Sequence, residues 1–151
     1  MKTLIIFSVL LTVTNARILS RCQVARAVKN SILTKFTAYS VADWVCMAYH
    51  ESEYNTLAEY YERGNDGKIW SGDYGIFQIN SNWWCADQMF PDGPNACNMN
   101  CLTFLNNNKD LKPDIDCAAV IVNQQGMEAW TSWVKNCKGK WIDYYTYFCF
   151  L

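Results

Sequence analysis

Charge is scarce in this sequence, and neither sign dominates. Only 18% of its 151 residues are charged, and 13 basic side chains face 14 acidic ones, a net charge of −1. A protein that grips duplex nucleic acid neutralises phosphates with a marked basic excess, so that class is excluded. Histidine occurs once, at His50. Glu51 follows it, as in the start of a metalloprotease helix, but the second His such a helix needs is replaced by Tyr54. The zinc-protease motif is therefore absent. Three Pro and seven Gly are too few to build a linker, and no repeat or low-complexity stretch divides the chain, so a single domain is expected. Beyond the first sixteen residues no apolar run approaches the ~20 residues a membrane helix requires.

Apolar residues, by contrast, make up 51% of the chain and aromatics 15%. That content supports a sizeable core and excludes intrinsic disorder. The first sixteen residues form a separate object: a positive start at Lys2, an apolar stretch from Leu4 to Val13, then the small residues of Thr14-Asn15-Ala16. This is the form of a signal peptide over residues 1–16, a retained anchor being the other reading. The mature, secreted chain is then residues 17–151, and losing Lys2 takes its net charge to −2. Eight cysteines (Cys22, Cys46, Cys85, Cys97, Cys101, Cys117, Cys137 and Cys149) are an even set that suits export and disulfides. Spacing alone does not choose among the possible connectivities. Zinc competes poorly, because only Cys97 and Cys101 are closely spaced and no second pair follows.

Apolar periodicity marks helices over residues 22–33, 117–123 and 127–137, the last two separated at Gly126 and closed near Gly139. Ser40 and Asp43 have the form of a capping box ahead of a further helix. On it Trp44, Ala48 and Glu51 fall on one face. Residues 55–75 lack helical period and contain Gly64-Asn65-Asp66-Gly67, the chemistry of a hairpin turn. Residues 76–80 read as the strand that follows. Helices with one strand insert predict an α+β fold, two lobes flanking a groove.

Two carboxylates stand out. Glu51 lies near the C-terminus of its helix on an apolar face, where burial and the helix dipole both disfavour its charge. Such a group keeps its proton near neutrality and can act as a general acid, although a Glu at a fraying helix end has the same pattern. Asp73 lies in Ser71-Gly72-Asp73-Tyr74-Gly75, read as a polar turn in which it stays ionised. A turn-capping Asp is its bland counterpart. Together they match the acid and nucleophile that glycosidic cleavage needs. Trp83-Trp84 offers indole faces for sugar rings, or else packs the core.

These words resemble the C-type lysozyme family across residues 17–151: Arg21-Cys22, Trp44-Val45-Cys46, Glu51-Ser52, the run from Asp73 to Ser81, Trp83-Trp84-Cys85, Ala129-Trp130 and residues 133–137. The resemblance implies a lysozyme-like α+β fold with four disulfides: Cys22–Cys149, Cys46–Cys137, Cys85–Cys101 and Cys97–Cys117. It implies Glu51 as general acid and Asp73 as nucleophile or stabilising carboxylate. Gln78, Asn80, Trp83, Trp84, Ala129 and Trp130 would line the substrate groove. The implied activity is bacteriolytic: retaining hydrolysis of the β-1,4 bond between N-acetylmuramic acid and N-acetylglucosamine, by a secreted monomer. No cofactor, metal, nucleic-acid or membrane partner is expected.

Departures from the family pattern are also visible. The stretch from Glu51 to Asp73 is longer than usual, leaving Asn65 and Asp66 as the candidate polar neighbours of Asp73, and Gln124-Gln125 stands where the family often has an Asp. The superfamily includes non-enzymes, a calcium-binding α-lactalbumin-like regulator and a glycan binder that does not cut. Asp110, Asp114 and Asp116 could supply oxygens to calcium, but Lys109, Lys112 and Pro113 dilute the cluster, and a hard cation needs six to eight ligands. Both carboxylates are present, which favours the enzyme. Finally, the acidic mature chain predicts lysis that is best at mildly acidic pH.

Overall fold

The structure is a computed structural model that describes residues 17–106 and 110–151. The expected signal peptide lies outside the described residues. Helix α1 (Arg21–Lys29) starts at a capping box in which Ser20 accepts from the Gln23 amide. It is shorter than the periodicity suggests. The chain leaves the helix at Asn30, and Ser31 caps a separate 3-10 turn, Ile32–Lys35, by accepting from the Leu33 amide at 3.2 Å. Helix α2 (Val41–Ser52) opens at the expected box, Ser40 Oγ accepting from the Asp43 amide and Asp43 returning a bond to the Ser40 amide at 2.8 Å. It is the core of the helical lobe. Residues 44–48 of this helix are all buried, and it packs against α1 and against α4 (Thr131–Asn136).

The sheet has three antiparallel strands in chain order, β1 (Glu59–Arg63), β2 (Ile69–Tyr74) and β3 (Ile79–Asn80). Gly64 and Lys68 close the β1–β2 hairpin, and Gly67 takes the positive φ of +77° that the turn requires. The strand expected over residues 76–80 is reduced to β3. Its first three residues form a turn instead, and the reason is burial. Ile76 and Phe77 are both 0% exposed, whereas adjacent strand residues point to opposite faces. Burying each is worth roughly 1.5–3 kcal/mol, enough to bend the backbone. Gly75 (φ +75°) permits the bend, since a Cβ there would lie 2.6 Å from the Asp114 carboxyl and 2.7 Å from the Phe104 carbonyl.

Helix α3 runs over Lys112–Gln125, beginning earlier than expected. Pro113 lies in its first turn, where a missing N–H costs nothing. The expected helix over 127–137 is also divided, into a 3-10 turn at Met127–Ala129 and α4, with Trp130 extended between them. Four disulfides join Cys22 to Cys149, Cys46 to Cys137, Cys85 to Cys101 and Cys97 to Cys117. Among the described residues no helix is long and apolar enough to cross a membrane.

Candidate active site

A groove of about 650 Å³ runs between the helical lobe and the sheet, and both Glu51 and Asp73 line it. Glu51 comes from the last turn of α2. That helix end is tied to the β lobe by Ser52, whose hydroxyl donates to the Ile76 carbonyl at 2.8 Å. Burial raises the Glu51 carboxyl to about 7, the Asp73 charge pushes the same way, and a hydrogen bond from the Ser132 hydroxyl opposes both. Protonation near neutrality is thus a property of the site.

Asp73 is placed differently from expectation. It stands within β2 rather than in a turn, and burial raises its carboxyl to about 6. The β2–β3 register sets Asp73 opposite Asn80, whose amide donates to Asp73 Oδ1 at 2.8 Å and so lowers the pKa. The β1–β2 register sets Tyr60 opposite Asp73 and Glu62 opposite Ser71. Side chains two apart on a strand share a face, so Glu62 sits diagonally across from Asp73 and its charge raises the Asp73 pKa further. Asn65 and Asp66 are not its neighbours. They occupy the hairpin tip, where Asp66 accepts from the Lys68 amide at 3.0 Å.

Gln78, Asn80, Trp83, Trp84, Ala129 and Trp130 all line the groove. Gln78 adopts a positive φ of +48°, and its amide donates to the Ala58 and Gly75 carbonyls. Trp83 is 61% exposed and presents its ring to solvent, whereas Trp84 is 7% exposed; the pair is split between the exposed wall of the groove and the core. Trp130 is buried, donates its indole N–H to the Phe77 carbonyl at 2.9 Å and meets Trp44 edge-on at 5.9 Å. Several other lining residues were given no site role from the sequence, among them Tyr60, Glu62, Trp70 and Gln125. Strand alternation alone would have marked Tyr60 and Glu62 as one face. Ser132 left no such signal, because its partner Glu51 is 81 residues away.

The metal candidates do not assemble. Asp116 pairs with Lys112 at 2.5 Å, Asp110 accepts from the Lys112 amide, and Asp114 is turned inward. Among the described residues, three potential ligands meet only at Cys46, His50 and Cys137. Both of those cysteines are disulfide-bonded, so their sulfurs are not thiolate ligands.

A helical lobe, a three-stranded sheet and a groove with one carboxylate from each define a lysozyme-type scaffold. The sequence profile of the C-type lysozyme/alpha-lactalbumin family matches residues 17–149, and the chain belongs to that family. It is 46% identical over 134 residues to the milk isozyme of lysozyme C of Canis lupus familiaris, covering 88% of this chain and 98% of the relative. Lysozyme C of Bufo gargarizans andrewsi is 44% identical over 130 residues, covering 85% of each chain. The crystal structure of canine milk lysozyme stabilised against non-enzymatic deamidation superposes with a TM-score of 0.75 at 46% identity, covering 86% of this chain and 96% of that one. Lysozyme from Equus asinus gives 0.78 at 40% identity, covering 89% and 100%.

Proposed function

We propose that this protein is a secreted, bacteriolytic lysozyme that acts as a monomer. It hydrolyses the β-1,4 bond between N-acetylmuramic acid and N-acetylglucosamine in peptidoglycan, with chitin-like oligomers as related ligands. The observation that carries this reading is the placement of two unlike carboxyls in one groove, Glu51 raised to about 7 and Asp73 to about 6. Lysozyme is itself the type case of this division of roles, so the division is inherited rather than newly found.

In the reaction, protonated Glu51 gives its proton to the glycosidic oxygen as the bond to the anomeric carbon breaks. The Asp73 carboxylate meets that carbon from the other face, held by Asn80. Water, deprotonated by Glu51, then releases the sugar with retained configuration. Trp83, Trp84 and Gln78 hold the chain, and Trp130 keeps the Glu51 side of the groove apolar. Clearing of a peptidoglycan suspension tests this directly. Glu51→Gln keeps the shape but has no proton to give, so turnover should fall well below a tenth of wild type with oligosaccharide affinity within a few-fold. Full turnover in that variant sinks the assignment. No hydrolysis by the wild-type protein, with or without a chelator, would point instead to the non-enzymatic alternatives, a calcium-binding α-lactalbumin-like regulator or a glycan binder that does not cut.

A further inference from the structure

Thirteen of the fourteen acidic residues fall between positions 41 and 134, against four cations. Residues 17–40 contain Arg17, Arg21, Arg26, Lys29 and Lys35 with no acid, and residues 135–151 contain Lys135, Lys138 and Lys140 against Asp143 alone. The fold joins these two basic segments. Cys22 is bonded to Cys149, Arg26 donates to the Cys149 carbonyl at 3.0 Å, and Arg21 donates to the Tyr145 carbonyl at 3.1 Å. A net-acidic protein thus carries one locally basic face.

That face is also apolar. Trp141, Tyr144, Tyr147 and Phe148 form a continuous exposed series, with ring centroids 5.6 Å, 6.1 Å and 6.4 Å apart for Trp141–Tyr144, Trp141–Tyr147 and Tyr147–Phe148. Phe148 and Phe150 are 84% and 92% exposed. Both sit at positive φ, +59° and +52°, a conformation disfavoured for bulky residues. The chain holds two strained phenylalanines out into solvent on either side of the buried Cys149. Neither the groove nor the core uses them.

We propose that this face docks on the surface of an anionic phospholipid bilayer. Trp and Tyr are the residues of the headgroup layer, Phe inserts beyond it, and flanking cations meet the lipid phosphates. Lys138 shares its charge with Glu128 at 2.7 Å, whereas Arg26, Lys29, Lys35, Lys135 and Lys140 are exposed. Arg26 and Lys29 on α1 and Lys140 beside Trp141 are the cations nearest the aromatic series in the chain and through the Cys22–Cys149 bridge. A glycan platform fits less well, since the most exposed tips, Phe148 and Phe150, have no hydrogen-bonding group to read a sugar. The sequence-based expectation of no membrane partner rested on the lack of a spanning segment; this is peripheral binding by a local surface.

The test is sedimentation of the disulfide-intact protein with phosphatidylglycerol/phosphatidylcholine vesicles and with phosphatidylcholine vesicles alone. Tryptophan emission is followed in parallel. Binding should favour the anionic vesicles by about tenfold or more and weaken as salt is added. Phe148→Asn with Phe150→Asn suits the same backbone, because Asn tolerates positive φ. It should reduce vesicle binding about tenfold while leaving cleavage of soluble oligosaccharides unchanged. Lys29→Glu with Lys140→Glu should abolish the preference for anionic lipid. Equal binding by wild type and the Asn variant overturns the proposal. So does retention on purified peptidoglycan with none on vesicles, or a dimer that forms through this face and leaves vesicles unbound.

Discussion

Glu51 and Asp73 are both raised by burial, each is pulled down by one hydrogen bond and pushed up by one neighbouring carboxylate, and the gap between them begins with the higher ordinary value of a Glu, 4.5 against 3.8. Asn80 pulls Asp73 down while Glu62 pushes it up. Replacing Glu62 by Gln removes the push and keeps the shape, so Asp73 should ionise at lower pH. The acidic limb of the pH–kcat/KM profile should move down by a fraction of a unit while the basic limb, set by Glu51, stays. An unmoved acidic limb would show that Glu62 does not act on Asp73. Trp83 belongs to the same set of residues. Because its ring is largely exposed, Trp83→Ala should leave the melting temperature nearly unchanged and cost about 1 kcal/mol of oligosaccharide affinity, roughly fivefold in Kd. A large fall in melting temperature would make this Trp a core residue.

The turn at residues 75–78 and the start of α3 meet at Asp114, which is 1% exposed. Burial raises its pKa well above 3.8; the backbone amides of Asp114 and Ile76 pull the other way, but neither carboxyl oxygen is left with a hydrogen-bond partner. A raised carboxyl pKa means the folded state holds the proton more tightly than the unfolded chain. Stability is therefore fullest below 3.8 and declines as pH rises toward the folded pKa. Asp114→Asn removes that dependence. The variant should match wild type near pH 4 and exceed it by about 1–3 kcal/mol near pH 7, read by denaturant unfolding at both pH values. A variant less stable than wild type at neutral pH would mean that the ionised carboxylate is satisfied in the folded protein.

Across the whole molecule, the groove lies within the acidic stretch of the chain. On the proposed mechanism the active form needs Glu51 protonated and Asp73 ionised, so lysis should be best between about pH 6 and about pH 7. The sequence-based expectation of a mildly acidic optimum is thereby bounded from below, because Asp73 loses its charge as pH falls through about 6. Anionic walls repel the acidic groove, and salt screens that repulsion. Initial lysis rates within this window should rise from low to moderate ionic strength. A rate highest at low salt and falling with each addition would show that the basic face governs encounter with the wall.

Local chemistry already specified much of this protein. The Ser40–Asp43 box starts α2, the Gly64–Gly67 turn makes the hairpin, and the apolar flank of α2 carries Glu51 to the groove, because each depends on contacts within a few residues. The family words around Asp73, Trp83 and Trp130 extended that reading to about half of the groove's lining, Gln78, Asn80, Trp83, Trp84, Ala129 and Trp130 beside the two carboxylates. Other features depend on distant partners. Consecutive burial of Ile76 and Phe77 turned an expected strand into a bend, and strand register set Glu62 beside Asp73. Ser132 met Glu51 across 81 residues. Net charge, too, is a sum over the chain; where the charge sits was settled by the Cys22–Cys149 bridge and the arginines that bind the final segment, which gather basic residues from both ends into one face.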